Sequence, residues 1–132
     1  IAALGDTRQQ RSERVLLIED DVDVRQFVSM LLQSLGFTIT DVGTTQQAAA
    51  LDASVFDLLV CDLMLPGNQK GPDIARRFQE SKPNLAVLYM SGYQEGILSK
   101  DELKSPLVSF IQKPFSKLEF VSRINELLQD EH

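Results

Sequence analysis

Five short apolar runs punctuate the chain at Val15–Ile18, Phe37–Val42, Phe56–Cys61, Leu85–Met90 and Leu107–Ile111. Four of them are almost continuously apolar rather than alternating, which is the pattern of strands covered on both faces. Phe37–Val42 carries Thr38, Thr40 and Asp41 and reads as a weaker strand.

Segments of helical spacing separate the runs. Val24, Phe27, Val28, Leu31, Leu32 and Leu35 recur at helical spacing, and Gly36 is placed to end that helix in a left-handed residue. Thr44 or Thr45 is placed to cap a short helix through Ala48 to Leu51. Pro66-Gly67 marks a turn, and Gly71-Pro72 opens a helix with Ile74, Ala75 and Phe78 inward, since proline is tolerated at the first helical position. The stretch from Gly92 to Ser105 is faintly periodic and is expected to hold a short helix. Ser116-Lys117-Leu118-Glu119 is a capping-box pattern opening a last helix with Phe120, Ile124, Leu127 and Leu128 inward. Strands alternating with helices require right-handed crossovers and a parallel sheet. The expected fold is therefore α/β: a five-stranded parallel sheet, flavodoxin-like and doubly wound as (βα)5. Strand order 2-1-3-4-5 is assigned by analogy from the strand count.

With 132 residues, 43% of them apolar, the chain is the size of one domain with a real core. It opens at Ile1, and Gly5 to Arg14 is polar and turn-rich, so residues 1–13 read as linker from a longer protein and 14–130 as the domain. Nineteen acidic against thirteen basic residues give net charge −6, which repels nucleic-acid backbones and anionic lipid. No nucleic-acid or membrane contact is expected. No apolar run approaches a membrane span and no signal peptide is evident, so the expected location is cytoplasmic. Cys61 is the sole cysteine and reads as a buried thiol packing as a small hydrophobe.

In a parallel sheet the acidic cluster Glu19-Asp20-Asp21, Asp62, Ser91 and Lys113 would converge, because each lies just beyond an apolar run. Their meeting place is the carboxyl edge, where open α/β folds bind ligands. Glu19, Asp20 and Asp62 repel one another unless a cation offsets their charge. An all-oxygen site with no histidine or cysteine pair suits Mg²⁺ and not zinc. A carboxylate can also act as a nucleophile and carry an aspartyl phosphate. Asp62 is the candidate, with Lys113 as a fixed positive charge and Ser91 as a hydroxyl donor. Each residue also has a bland reading: the acids as a helix cap, Ser91 as a turn residue, Phe110 as core and Arg25 as a surface ion pair.

Taken together, VLLIEDD followed by Arg25, then DLMLPG, YMSGY and QKPF, resemble the receiver domains of two-component response regulators and hybrid sensor kinases, over residues 14–129. The resemblance implies that Asp62 is the phosphoacceptor, Asp20 the more direct Mg²⁺ ligand and Glu19 one acting through water, with Asp21 flanking. It further implies that Met64 offers its backbone carbonyl to the metal, Ser91 is the switch hydroxyl and Phe110 the aromatic switch. Lys113 would contact the phosphoryl group, with Pro114 following through a cis bond. The loop from Asp62 to Gly71 is one residue longer than in the commonest receivers. The wording DLMLPGNQKGPDIARR and VLYMSGY is most similar to C-terminal receivers of hybrid histidine kinases.

The function so implied is Mg²⁺-dependent phosphotransfer to Asp62 from the phosphohistidine of a histidine kinase or histidine phosphotransfer domain. The receiver would contribute modest self-catalysis, a rearrangement at Ser91 and Phe110 that alters a protein-binding face, and weak or phosphorylation-dependent pairing with a second copy. His132 at the terminus is not a phosphotransfer histidine, so the donor must be external. Two other classes compete. An aspartyl-phosphate phosphohydrolase wants a second aspartate two residues after the nucleophile, where Met64 stands. A receiver-like scaffold that takes no phosphate would have lost an acidic or lysine position, and none is lost.

Overall fold

A computed structural model describes residues 12–67, 69–92 and 104–128 of the chain. The apolar runs become five strands: β1 (Arg14–Ile18), β2 (Thr38–Val42), β3 (Leu58–Asp62), β4 (Ala86–Ser91) and β5 (Val108–Gln112). Helices α1 (Val22–Ser34), α2 (Thr45–Ala49), α3 (Gly71–Ser81) and α4 (Lys117–Leu128) connect or follow them. The helix expected between Gly92 and Ser105 falls mainly on 93–103, outside the described residues. No helix among the described residues is long and apolar enough to cross a membrane.

The sheet runs β2-β1-β3-β4-β5 with every neighbouring pair parallel, the doubly wound order 2-1-3-4-5. Alternation along each strand sends side chains to two cores. Val15, Leu17, Leu58, Val60, Leu88 and Met90 pack with Val28, Leu31 and Leu32 of α1 and Phe120, Ile124 and Leu127 of α4. Leu16, Ile18, Leu59, Cys61, Val87 and Tyr89 pack instead with Ala48 of α2 and Ile74, Ala75 and Phe78 of α3. Burial on both faces explains why the central strands read as unbroken apolar runs, whereas edge strand β2 does not.

Local chemistry fixes the helix ends. Gly36 takes φ 96 just after α1, a left-handed conformation that costs glycine little. Thr44 caps α2 by accepting from the Gln47 amide. At α4 the Ser116 hydroxyl accepts from the Glu119 amide at 3.1 Å while the Glu119 carboxylate accepts from the Ser116 amide at 3.1 Å, the reciprocal pair of a capping box.

The structure corrects some expectations. Phe27, one of the apolar residues at helical spacing, is 46% exposed. Its ring meets Phe115, centroids 6.3 Å apart, and Phe115 stacks on Phe120 at 5.5 Å. Helix α2 stops at Ala49 and a 3₁₀ turn, Ala53–Val55, leads into β3. In the loop after Asp62, Met64–Leu65 pairs antiparallel with Gln69–Lys70.

Candidate functional site

Past the end of β1 the backbone turns through Glu19 and Asp20 into α1, whose cap is Asp21. The Asp21 carboxylate accepts from the amides of Asp23 at 2.9 Å and Val24 at 3.1 Å. Capping therefore belongs to Asp21, and neither Glu19 nor Asp20 is spent on it. Glu19 is 1% exposed and Asp62, the last residue of β3, is 8% exposed, while Asp20 is open to solvent. Carboxylate oxygens from Glu19, Asp20 and Asp62 all lie within 4.8 Å of one another. Just past β5, Lys113 Nζ sits 2.9 Å from Glu19 Oε1 and 2.8 Å from Asp62 Oδ1. One ammonium thus spans two buried carboxylates. The following Lys113–Pro114 bond is cis.

Burial pushes the Asp62 carboxyl up to about 7; the Lys113 ammonium opposes this, and the neighbouring Glu19 charge adds to it. A single ammonium shared by two acids does not offset both. For Lys113 burial alone favours the neutral amine, but contacts with Asp62 and Glu19 outweigh it and raise its pKa, so it stays charged. Burial, with the Asp62 and Glu19 charges, also pushes the Cys61 thiol up, which keeps it from acting as a thiolate. Its Sγ donates instead to the Asp62 carbonyl at 3.2 Å.

Backbone bonds hold the segment that follows Asp62 on both sides. The Leu63 amide donates to the Met90 carbonyl and the Gly71 amide to the Leu63 carbonyl, each at 2.9 Å. Ser91 ends β4, is 5% exposed, and its carbonyl accepts from the Lys113 amide at 2.6 Å. Glu19, Asp20, Asp62 and Lys113 are therefore brought together, with Ser91 on the strand beside Asp62. Phe110 on β5 is 47% exposed and is not part of the core. Met64, in the short ladder two residues past Asp62, is 43% exposed.

The three acids present oxygen donors alone, a donor set that fits Mg²⁺. Two features escaped sequence reading. Arg25 makes no ion pair with the described residues; its Nη1 donates to the Glu19 main-chain carbonyl at 2.7 Å. A basic residue one helical turn beyond an acidic loop was the signal, because the turn carries it back over that loop. Gln69 of the short ladder is hydrogen-bonded to Thr45 at the start of α2, a contact no local pattern announces.

Fold and site together define a doubly wound domain of the two-component signalling class. Residues 15–125 match the response regulator receiver domain family, and the chain belongs to that family. It is 30% identical over 117 residues to the response regulator receiver protein CpdR of Brucella abortus, covering 88% of this chain and 97% of that protein. It is 27% identical over 121 residues to sensor kinase CckA of the same organism, covering 89% of this chain but 13% of that protein. A response regulator receiver protein from Sinorhizobium medicae superposes with TM-score 0.77 at 23% identity, over 92% of this chain and 98% of that one.

Proposed function

We propose that Asp62 accepts a phosphoryl group from the phosphohistidine of a histidine kinase or histidine phosphotransfer domain, at a site that holds Mg²⁺ through Glu19, Asp20, Asp62 and the Met64 backbone carbonyl. The observation that carries this reading is Lys113 Nζ bridging Asp62 Oδ1 and Glu19 Oε1 at the carboxyl edge of the sheet. An Asp62 oxygen attacks phosphorus; the O–P bond forms as the P–N bond breaks, and the imidazole leaves with the electron pair and takes up a proton. Bound Mg²⁺ supplies positive charge to the phosphoryl oxygens. Lys113 donates to one of those oxygens, and its ammonium is already fixed beside the nucleophile, so little reorganisation is needed. The Ser91 hydroxyl then donates to another, and the exposed Phe110 ring turns inward, which changes a protein-binding face. Similarity to part of sensor kinase CckA supports a hybrid histidine kinase as the parent protein.

Intact mass after incubation with Mg²⁺ and acetyl phosphate tests the reading. One added phosphoryl group is expected, absent in Asp62→Asn. An adduct that persists in Asp62→Asn, or none in the unaltered chain with acetyl phosphate and with phosphohistidine donors, overturns it.

A further inference from the structure

Glu19 is held by more than its side chain. Its amide donates to the Val42 carbonyl at 3.1 Å, its Oε1 accepts from Lys113, and its Oε2 accepts from the Asp21 amide at 3.0 Å. The remaining polar group is its carbonyl, which accepts from Arg25 Nη1 at 2.7 Å. Arg25 itself is anchored in α1, its amide donating to the Asp21 carbonyl at 2.8 Å. The guanidinium lies against Gly43, which follows Val42 at the end of β2. A Cβ added at Gly43 would stand 2.8 Å from Arg25 Nη1 and 3.7 Å from its Cζ. Gly43 has no positive φ that would call for glycine, so space is what the position supplies. Its amide is held in turn by Gln47 Oε1 at 2.9 Å.

We propose that Arg25 is a positioning residue for the acidic site: by gripping the Glu19 carbonyl it sets the turn from which Glu19 and Asp20 face Asp62, and Gly43 is the notch that admits it. The inference rests on the phosphoacceptor reading above. A carbonyl that accepts a charge-assisted bond is held more firmly than one left to water. Rotation of the Glu19–Asp20 peptide would move both carboxylates relative to Asp62 together. Partners that orient ligands in this way change metal affinity by about 10- to 100-fold when removed. Arg25 touches neither phosphoryl group nor nucleophile, so its loss should weaken assembly of the site and leave the chemical step intact once the site is filled.

The experiment compares the unaltered chain with Arg25→Ala, Gly43→Ala and the double variant. Mg²⁺ binding is measured by calorimetry without phosphodonor, and phosphorylation by acetyl phosphate is followed by intact mass at limiting and saturating Mg²⁺. Arg25→Ala is expected to weaken Mg²⁺ binding by about tenfold. Its phosphorylation should be slow at limiting Mg²⁺ and near normal at saturation. Gly43→Ala, which displaces only the flexible end of Arg25, should reproduce the defect, and the double variant should be no worse than Arg25→Ala. Unchanged Mg²⁺ affinity in Arg25→Ala, a rate that saturating Mg²⁺ does not restore, or full additivity in the double variant overturns the proposal. An unaltered chain that takes neither Mg²⁺ nor phosphoryl overturns the phosphoacceptor reading, and this proposal with it.

Discussion

Asp62 is buried and paired, and the proposed reaction requires it to ionise; these demands conflict. In an unfolded chain an aspartate gives up its proton near pH 4, at about 3.9, whereas burial holds the folded Asp62 carboxyl to about 7. Between those values the folded state binds more protons than the unfolded one, so stability falls as pH rises, and above 7 the cost is present in full. Asp62→Asn removes the charge that causes it. Without Mg²⁺, the variant is expected to exceed the unaltered chain in unfolding free energy by on the order of 2 kcal/mol at pH 8. The advantage should shrink toward zero near pH 4. Urea unfolding across that range checks it, and a pH-independent difference would count against the conflict described. The Asp62, Glu19, Asp20 and Lys113 positions could be read from sequence because each ends an apolar run. Burial, which raises the Asp62 pKa, could not, since it depends on segments distant in the chain.

Helix α3 shows how one element is seated against another. Its first residue, Gly71, lies so close to β3 that an added Cβ would fall 2.1 Å from the Asp62 carbonyl oxygen and 3.0 Å from Cys61 Sγ. Alanine is a better helix former than glycine by about 1 kcal/mol, but overpacking costs about 1–3 kcal/mol. The obstructing oxygen is main chain and cannot rotate aside, so the clash wins. Gly71→Ala is expected to lower stability by about 1–2 kcal/mol, read as a lower urea midpoint with unchanged slope. A midpoint equal to or above that of the unaltered chain would refute the close approach. Sequence made the Gly71-Pro72 helix start visible through proline, but not the reason for glycine. The same limit applies elsewhere. The Ser116–Glu119 capping box and Gly36 are local signals and were legible, while the surroundings of Phe27 were not, because they come from Phe115, 88 residues along the chain.

At the scale of the whole molecule, the site exists only because the sheet is parallel in the order 2-1-3-4-5. β3 and its neighbours β1 and β4, with β5 beyond, bring Asp62, Glu19, Ser91 and Lys113 to one edge. Alternating runs made the parallel sheet legible, yet the order had to be borrowed by analogy, because register and neighbour choice arise from packing both cores at once. A site assembled from separate strand ends links ligand binding to global stability, since unfolding scatters every donor. A ligand that binds only the folded chain stabilises it by RT ln(1 + [L]/Kd), about 1.4 kcal/mol when its concentration is ten times Kd. With Glu19, Asp20 and Asp62 oxygens within 4.8 Å, Mg²⁺ held there as proposed would also relieve their mutual repulsion. The melting temperature at neutral pH should therefore rise by about 4–8 °C in Mg²⁺ at ten times Kd. Asp20→Asn should lose most of that rise, because Asp20 is exposed and serves neither as cap nor as core. Its effect on the metal-free melting temperature should be small for the same reason. Equal Mg²⁺-induced shifts in the two proteins would mean that the cation acts elsewhere on this acidic surface and not at the strand ends.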